Sequence, residues 1–226
     1  MKKLAIIGYG KMGRMIAQLA PDYGFDVFAT VDLQDDFAKA ASADVAIEFT
    51  TPEAALGNIE KLAALKLPTV VGTTGWLGHL NDVRTVVDQH QNALVWSPNF
   101  SVGVNVFFRL VREAAVLLKD EPEYGAWAWE IHHDSKKDAP SGTMIKLVEE
   151  MKNAGYARNI DVSSNRAGRH PGTHDVGFDS NADTITLRHA ARSREGFARG
   201  ALKAAQWLVA DKRQGVFEFS DILFKK

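Results

Sequence analysis

Apolar residues fall in short blocks through the first hundred positions. Leu4 to Ile7 is an unbroken apolar run closed by glycine, the pattern of a strand buried on both faces. Arg14 to Leu19 follows a helical period and stops near Pro21. Asp26 to Val31 and Val45 to Phe49 are rich in β-formers and predict two further strands. Ala54 to Leu65 predicts the helix after them. Thr69 to Val71 and Ala93 to Trp96 predict two more strands, with a helix over Leu80 to Gln89 between them. Strands alternating with helices predict βαβ units and a mostly parallel sheet, its post-strand loops gathered on one edge.

The pattern changes near residue 100. Val104 to Leu118 predicts a long amphipathic helix. Tyr124 to His132 sets Trp127, Trp129 and Ile131 against Ala126, Ala128 and Glu130, the alternation of a half-buried strand. Ser141 to Asn153 predicts a helix stopped by Gly155. His174 to Phe178 and Thr184 to His189 predict antiparallel strands around the turn residues Asp179 to Asp183. Phe197 to Ala210 predicts a helix that returns to the first sheet, which otherwise lacks cover on one face. The expected fold class is α/β, with an N-terminal parallel-sheet domain over residues 1–101 plus about 195–226. A second α+β domain, built on a mostly antiparallel or mixed sheet, is expected over about 102–194.

Composition narrows the function. The 226 residues carry a net charge of −1, with 46% hydrophobic and 24% charged residues. That is an ordinary globular balance, with no basic field to draw nucleic acid or an anionic membrane. No apolar stretch approaches the ~20 residues that span a bilayer, and Met1 to Ile7 does not read as a signal peptide. There are no cysteines, which excludes disulfides, thiolate metal sites and a cysteine nucleophile.

The first motif is Gly8-Tyr-Gly-Lys-Met-Gly13, a G-x-G-x-x-G spacing between the first strand and its helix. Gly8 permits the tight turn, Gly10 lets the backbone approach a pyrophosphate, and Gly13 lets helix and strand pack closely. The helix start offers N–H groups and a positive dipole end to phosphate. Asp32 closes the second strand, where an acid can bond a ribose 2′-hydroxyl and repel a 2′-phosphate. Lys11 and Arg14 in the loop region offset that repulsion. The context is that of a Rossmann-type nucleotide-binding domain, with Tyr9 and Met12 completing the loop. Gly72-Thr73-Thr74 and Ser97-Pro98-Asn99-Phe100 each end a predicted strand on the same edge, where a ligand is expected. Both also read as ordinary turns.

The second motif is Glu130 to Thr143, which gathers His132, His133, Lys136, Lys137 and an Asp-Ala-Pro-Ser-Gly-Thr run behind an apolar strand. If the strand continues, His132 and His133 point to opposite faces. A histidine can donate a proton near neutral pH. A lysine can hold a carboxylate or stabilise developing negative charge. The helix start at Ser141, Gly142 and Thr143 is an anion site, although Ser141 reads equally as an N-cap. Together these suit a small dianionic substrate beside a nicotinamide. Adjacent strand histidines diverge and no third ligand follows at standard spacing, so no metal is expected.

The same segment resembles the E-x-H-H-x-x-K-x-D-A-P-S-G-T signature of the 4-hydroxy-tetrahydrodipicolinate reductase family, also called dihydrodipicolinate reductase. Gly72 to Thr74, Pro98 to Asn105, Arg166 to Thr173 and Ser193-Arg194 resemble further family segments. The resemblance implies His132 as proton donor or acceptor and Lys136 as a second acid-base or charge-stabilising group. It implies His133, Lys136, Ser141, Gly142 and Thr143 as substrate-binding residues. The reaction implied uses NADH or NADPH, without metal, in lysine and diaminopimelate biosynthesis. Hydride goes to C4 of a small dianionic heterocycle, the 4-hydroxyl is lost, and a proton is added at C3. A cytoplasmic homotetramer is implied, built through the second, substrate-binding domain. Two departures stand out. The glycine loop is one residue shorter than the family's usual one. The stretch from His174 to Asp183 is also short, which leaves a dimer open.

Two other readings fit the residues less fully. One is another dehydrogenase of the same two-domain plan, in which Lys136 is dispensable. The other is a nucleotide-sensing module that binds NADH without turnover. A hinge around Ser97 to Val104 and Arg194, closing the domains on ligand, is also expected.

Overall fold

The computed structural model describes residues 1–224. The chain folds into two compact units, one formed by Met1–Ser101 with the chain from Glu195 onward, the other by Val102–Arg194.

The first unit is built on strands β1 (Lys2–Ile7), β2 (Phe25–Val31), β3 (Val45–Glu48), β4 (Thr69–Val71), β5 (Ala93–Trp96) and β10 (Gly215–Glu218). They form one parallel sheet in the order β10-β5-β4-β3-β1-β2. Leu4 to Ile7, Val45 to Glu48 and Thr69 to Val71 are all buried, as apolar runs in a doubly covered sheet must be. Helices α1 (Lys11–Leu19), α2 (Pro52–Ala64) and α3 (Leu80–Gln89) link the strands. The β2–β3 crossover carries only a 3-10 turn, Phe37–Ala40, capped by Asp36. Helix α6 (Glu195–Ala210) packs on α1, β3, β4 and β5 through Ala198, Ala201, Leu202, Ala205 and Leu208. Strand β10 and the short helix α7 (Phe219–Phe224) complete the unit. The chain leaves β1 to one side to reach β2, then returns to the other side for β3. The gap between the ends of β1 and β3 is therefore the topological switch point.

The second unit packs α4 (Val102–Leu118) and α5 (Gly142–Asn153) on one face of a sheet of β6 (Gly125–His132), β7 (Ile160–Arg166), β8 (Thr173–Asp179) and β9 (Thr184–Ala190). The order is β7-β6-β8-β9, with β7 parallel to β6 and the other pairs antiparallel. The sheet is thus mixed. Phe107, Val111 and Ala115 line one stripe of α4 and bury against the sheet's Ala128, Val176 and Phe178 and α5's Met144, Leu147 and Met151. Arg158 closes the end of α4 by donating to the carbonyls of Leu118 and Lys119.

Strand β7 has no counterpart in the apolar pattern. Ile160 and Val162 face the core, but the next inward residues, Ser164 and Arg166, are polar and interrupt the alternation. Strand β10 is short and lies at the sheet edge.

Candidate active site

At the switch point, Gly8 adopts φ +89°, a left-handed conformation that favours glycine. A Cβ there would strike the carbonyl of Phe49 at the end of β3. A Cβ on Gly13 would strike the Gly8 carbonyl, so β1 and α1 can meet this closely only with glycine at that position. Gly10 faces open space, with nothing within 4 Å of where its Cβ would be. A backbone that is tight on its protein side and open on the other fits a pyrophosphate at the start of α1. Tyr9, Lys11 and Met12 lie between these glycines. Arg14 folds back, donating from Nε to the Tyr9 carbonyl at 3.3 Å. Asp32 stands exposed at the end of β2, accepting the Leu33 amide at 3.0 Å.

The two other strand-end loops divide their roles. Thr73 is buried, its hydroxyl accepting from the Thr50 amide at 2.7 Å, while Gly72 donates its amide to the Glu48 carbonyl and Thr74 is exposed. Ser97 and Asn99 brace each other, the Ser97 hydroxyl donating to the Asn99 carbonyl at 2.8 Å, with Pro98 exposed beside them. Phe100, also expected at the cofactor, is 2% exposed, its ring packed 5.0 Å from Phe219 and 6.3 Å from Phe49.

In the second unit, strand register assembles what the sequence leaves scattered. Glu130 on β6 lies opposite Ser164 on β7 and His174 on β8, and His174 lies opposite His189 on β9. Ser164, Glu130, His174 and His189 therefore form one polar row across four strands, on the face that carries the apolar core further along. His132 and Arg166 sit side by side in the next row.

Glu130 is fully buried and saturated with donors. Its Oε1 accepts from the Ser141 amide at 2.9 Å, the Ser164 hydroxyl at 2.9 Å and Arg166 Nη2 at 2.8 Å. Its Oε2 accepts from the Ser141 hydroxyl and lies 3.3 Å from His174 Nε2 and 3.7 Å from His132 Nδ1. Burial pushes this carboxyl up, but the bonds from His174, Ser141 and Arg166 outweigh it and hold the group well below the usual carboxylate range. His132 is 7% exposed. Burial, then the charge of His174, pull its imidazole down to about 4 against the opposing pull of Glu130. Its Nδ1 is buried without a hydrogen-bond partner. On the other side of the ring, a Cβ on Gly172 would sit 2.9 Å from Nε2, and Gly172 has φ +143°.

The expected substrate residues separate into two groups. His133 lies just beyond β6, half-buried, its Nδ1 2.9 Å from the Ser135 hydroxyl. Lys136 is clamped by Asp138 at 2.7 and 2.9 Å. Gly142 and Thr143 present the first-turn amides of α5, which have no intrahelical acceptor. Ser141, also expected at the substrate, opens this helix. It is 2% exposed and is the N-cap of α5, accepting from the Met144 amide while donating to Glu130.

Sequence reading gave no role to His174 or Ser164, placed Arg166 only at the start of a family-like segment, and missed the part Glu130 plays in uniting them. No spacing signal joins them, because they meet only through the register of β6, β7 and β8. Glu130, His132 and His174 offer three ligand atoms within 4.8 Å of one another. The carboxylate is already saturated, and the Arg166 cation beside it opposes a second positive charge, so the set fits hydrogen bonding rather than a metal ion.

A parallel sheet with a glycine loop at its switch point, continued by a mixed-sheet unit, defines the class: a Rossmann-type α/β protein of two units. Among solved structures this fold is shared by a probable dehydrogenase from Thermotoga maritima, with TM-score 0.64 and 10% identity over 98% of this chain and 92% of that one. Residues 2–100 match the family model described as dihydrodipicolinate reductase, N-terminus, and residues 103–223 that described as dihydrodipicolinate reductase, C-terminus. The chain belongs to the dihydrodipicolinate reductase family. The 4-hydroxy-tetrahydrodipicolinate reductase of Christiangramia forsetii is 34% identical over 97% of both chains. That of Methanoregula boonei is 34% identical over 99% of this chain and 98% of its own. A dipicolinate-bound dihydrodipicolinate reductase from Paenisporosarcina sp. TG-14 has a TM-score of 0.83 at 20% identity, covering 98% of this chain and 99% of that one.

Proposed function

We propose that this chain reduces 4-hydroxy-tetrahydrodipicolinate to tetrahydrodipicolinate with NADH or NADPH, in lysine and diaminopimelate biosynthesis in the cytoplasm. The observation that carries this reading is the buried Glu130, which bonds the N-cap of α5 on one side and lies 3.7 Å from His132 on the other. One carboxylate thereby fixes both an anion-binding helix start and a proton-carrying ring. No helix among the described residues is long and apolar enough to cross a membrane.

The first unit would hold the nucleotide. Gly8 to Gly13 receive the pyrophosphate and Asp32 the adenosine ribose, with Gly72 to Thr74 and the Ser97 to Phe100 backbone on the same sheet edge. When bound, the nicotinamide would supply hydride to C4 of the substrate ring once the 4-hydroxyl and one C3 hydrogen have left together as water. In the second unit, the amides of Gly142 and Thr143 bind a substrate carboxylate. Their N–H groups cost no reorganisation because Ser141 and Glu130 already hold them. Lys136 binds or stabilises negative charge by exchanging its bond to Asp138 for one to the substrate. His133 adds a second donor for a dianion. His132 delivers the proton to C3.

Steady-state oxidation of NADH and NADPH with enzymatically generated substrate tests the assignment. Consumption of neither cofactor overturns it.

A further inference from the structure

We propose that His174 tunes His132 as a proton donor: the two imidazoles share the single carboxylate of Glu130, so a proton on one ring opposes a proton on the other. The proposal rests on the assignment of His132 as donor and adds a residue that touches neither substrate nor cofactor. His174 is thus a positioning residue, acting through Glu130.

The geometry carries the argument. His174 Nε2 lies 3.3 Å from Glu130 Oε2 and 3.2 Å from the Ser141 hydroxyl. A carboxylate only accepts, so Nε2 holds a hydrogen that points into this pair. His132 Nδ1 approaches the same oxygen at 3.7 Å. The two rings stand edge to face with centroids 5.0 Å apart, and the Nδ1 atoms of both are sealed from solvent without partners. Two imidazolium charges at that separation repel strongly in a buried site, and one carboxylate can offset only one of them. His174 makes the shorter contact with that carboxylate.

The described acids near the pair already have cationic partners. Facing it are Glu130 on β6, Lys136 after it, Arg166 on β7 and His189 on β9. From α5 come the positive dipole end and the Ser141 cap, and from α4 the apolar ring of Phe107, stacked near His189. Among the described residues, Glu130 is the acid paired with both rings and is already bonded by Arg166, while Asp138 is held by Lys136. The coulombic pull of His174 on His132 has the sign this arrangement requires. A dianionic substrate at the start of α5 supplies the missing negative charge. His132 then takes up its proton with substrate, and gives it up readily because the free site holds it weakly.

The test is an NMR titration of isotope-labelled imidazoles in the full chain. In His174→Gln, which retains an N–H donor, the His132 midpoint should rise by about one to two pH units. An unchanged or lowered midpoint overturns the proposal. If that variant does not fold, the unaltered protein decides. Coupled rings titrate in two mirrored steps, whereas two independent single-step curves overturn the proposal. Full turnover in His132→Asn would remove the donor assignment, whereas the coupling is read in the unaltered protein, so the two failures are distinct.

Discussion

His132 is held in a place that penalises its charged form, and this has a cost that pH exposes. Its folded value of about 4 lies below the ordinary value of 6.5, so the unfolded chain binds the proton more tightly. The stability it contributes is present above pH 6.5 and is lost as pH falls toward 4, by up to about 3 kcal/mol. Thermal unfolding followed across that window should show the midpoint falling on acidification, and His132→Asn should flatten the slope. The same substitution, and Lys136→Met, should each lower turnover by ~10²–10⁴-fold with the circular dichroism spectrum retained. Asp32 stands apart from this cluster. Its exposed carboxylate accepts one backbone amide and keeps acceptor capacity for a ribose hydroxyl. Asp32→Ala should weaken NADH binding by about 1.5–3 kcal/mol and relieve discrimination against NADPH, read by titration of both nucleotides.

At the scale of elements, two buried carboxylates do different work. Glu130 joins β6, β7 and α5, with every bond accepted from a donor. In Glu130→Gln the new amide must turn N–H groups toward donors and leave Arg166 without its anion. A loss of about 3–5 kcal/mol in denaturant unfolding is expected. Glu48 closes β3 and accepts from the Thr50 hydroxyl and from Asn58 Nδ2 of α2 at 3.2 Å, while its Oε2 is buried without a partner. Burial pushes this carboxyl up against the lowering bonds from Thr50, Thr73 and Asn58. A raised acid favours folding when protonated, and that contribution is lost as pH rises through the folded value. Glu48→Gln should therefore gain stability relative to the native chain at pH 8 and less at pH 4, measured by thermal unfolding at both.

For the whole molecule, the outer face of the mixed sheet bears on assembly. The outer face of the mixed sheet carries Trp127, Trp129 and Ile131, all half-buried in the isolated chain, with Trp129 Nε1 donating to Asn165 at 2.6 Å. Strands β8 and β9 join through a tight hairpin in which the Ser180 amide donates to the Asp183 carbonyl at 2.9 Å. An aromatic sheet face suits association between copies. Sedimentation is expected to show a homo-oligomer of the 24.8 kDa chain, and a monomer at micromolar concentration would count against it.

The elements of the first hundred residues were legible because a doubly buried parallel strand must be apolar throughout, and its loops need glycine at fixed steps. Leu4 to Gly13 therefore stated both a strand and a nucleotide loop in one stretch. The segment from Glu130 to Thr143 stated its chemistry just as locally, because helix capping and the order of His132, Lys136 and Ser141 lie within one short span. Phe100 could not be placed so: nothing local separates a core ring from one that faces a ligand. Strand β7 stayed hidden because its inward residues turn polar where they reach Glu130. His174, 44 residues from Glu130, joined the site only through the register of β8 on β6. Fold class, family and the residues of the motif could all be read along the chain, because each is written in neighbouring positions. That Ser141 bonds Glu130, and that His132 shares its anion with a second histidine, emerged only on folding. Which charge compensates which is a matter of distance in space, falling off over a few ångströms.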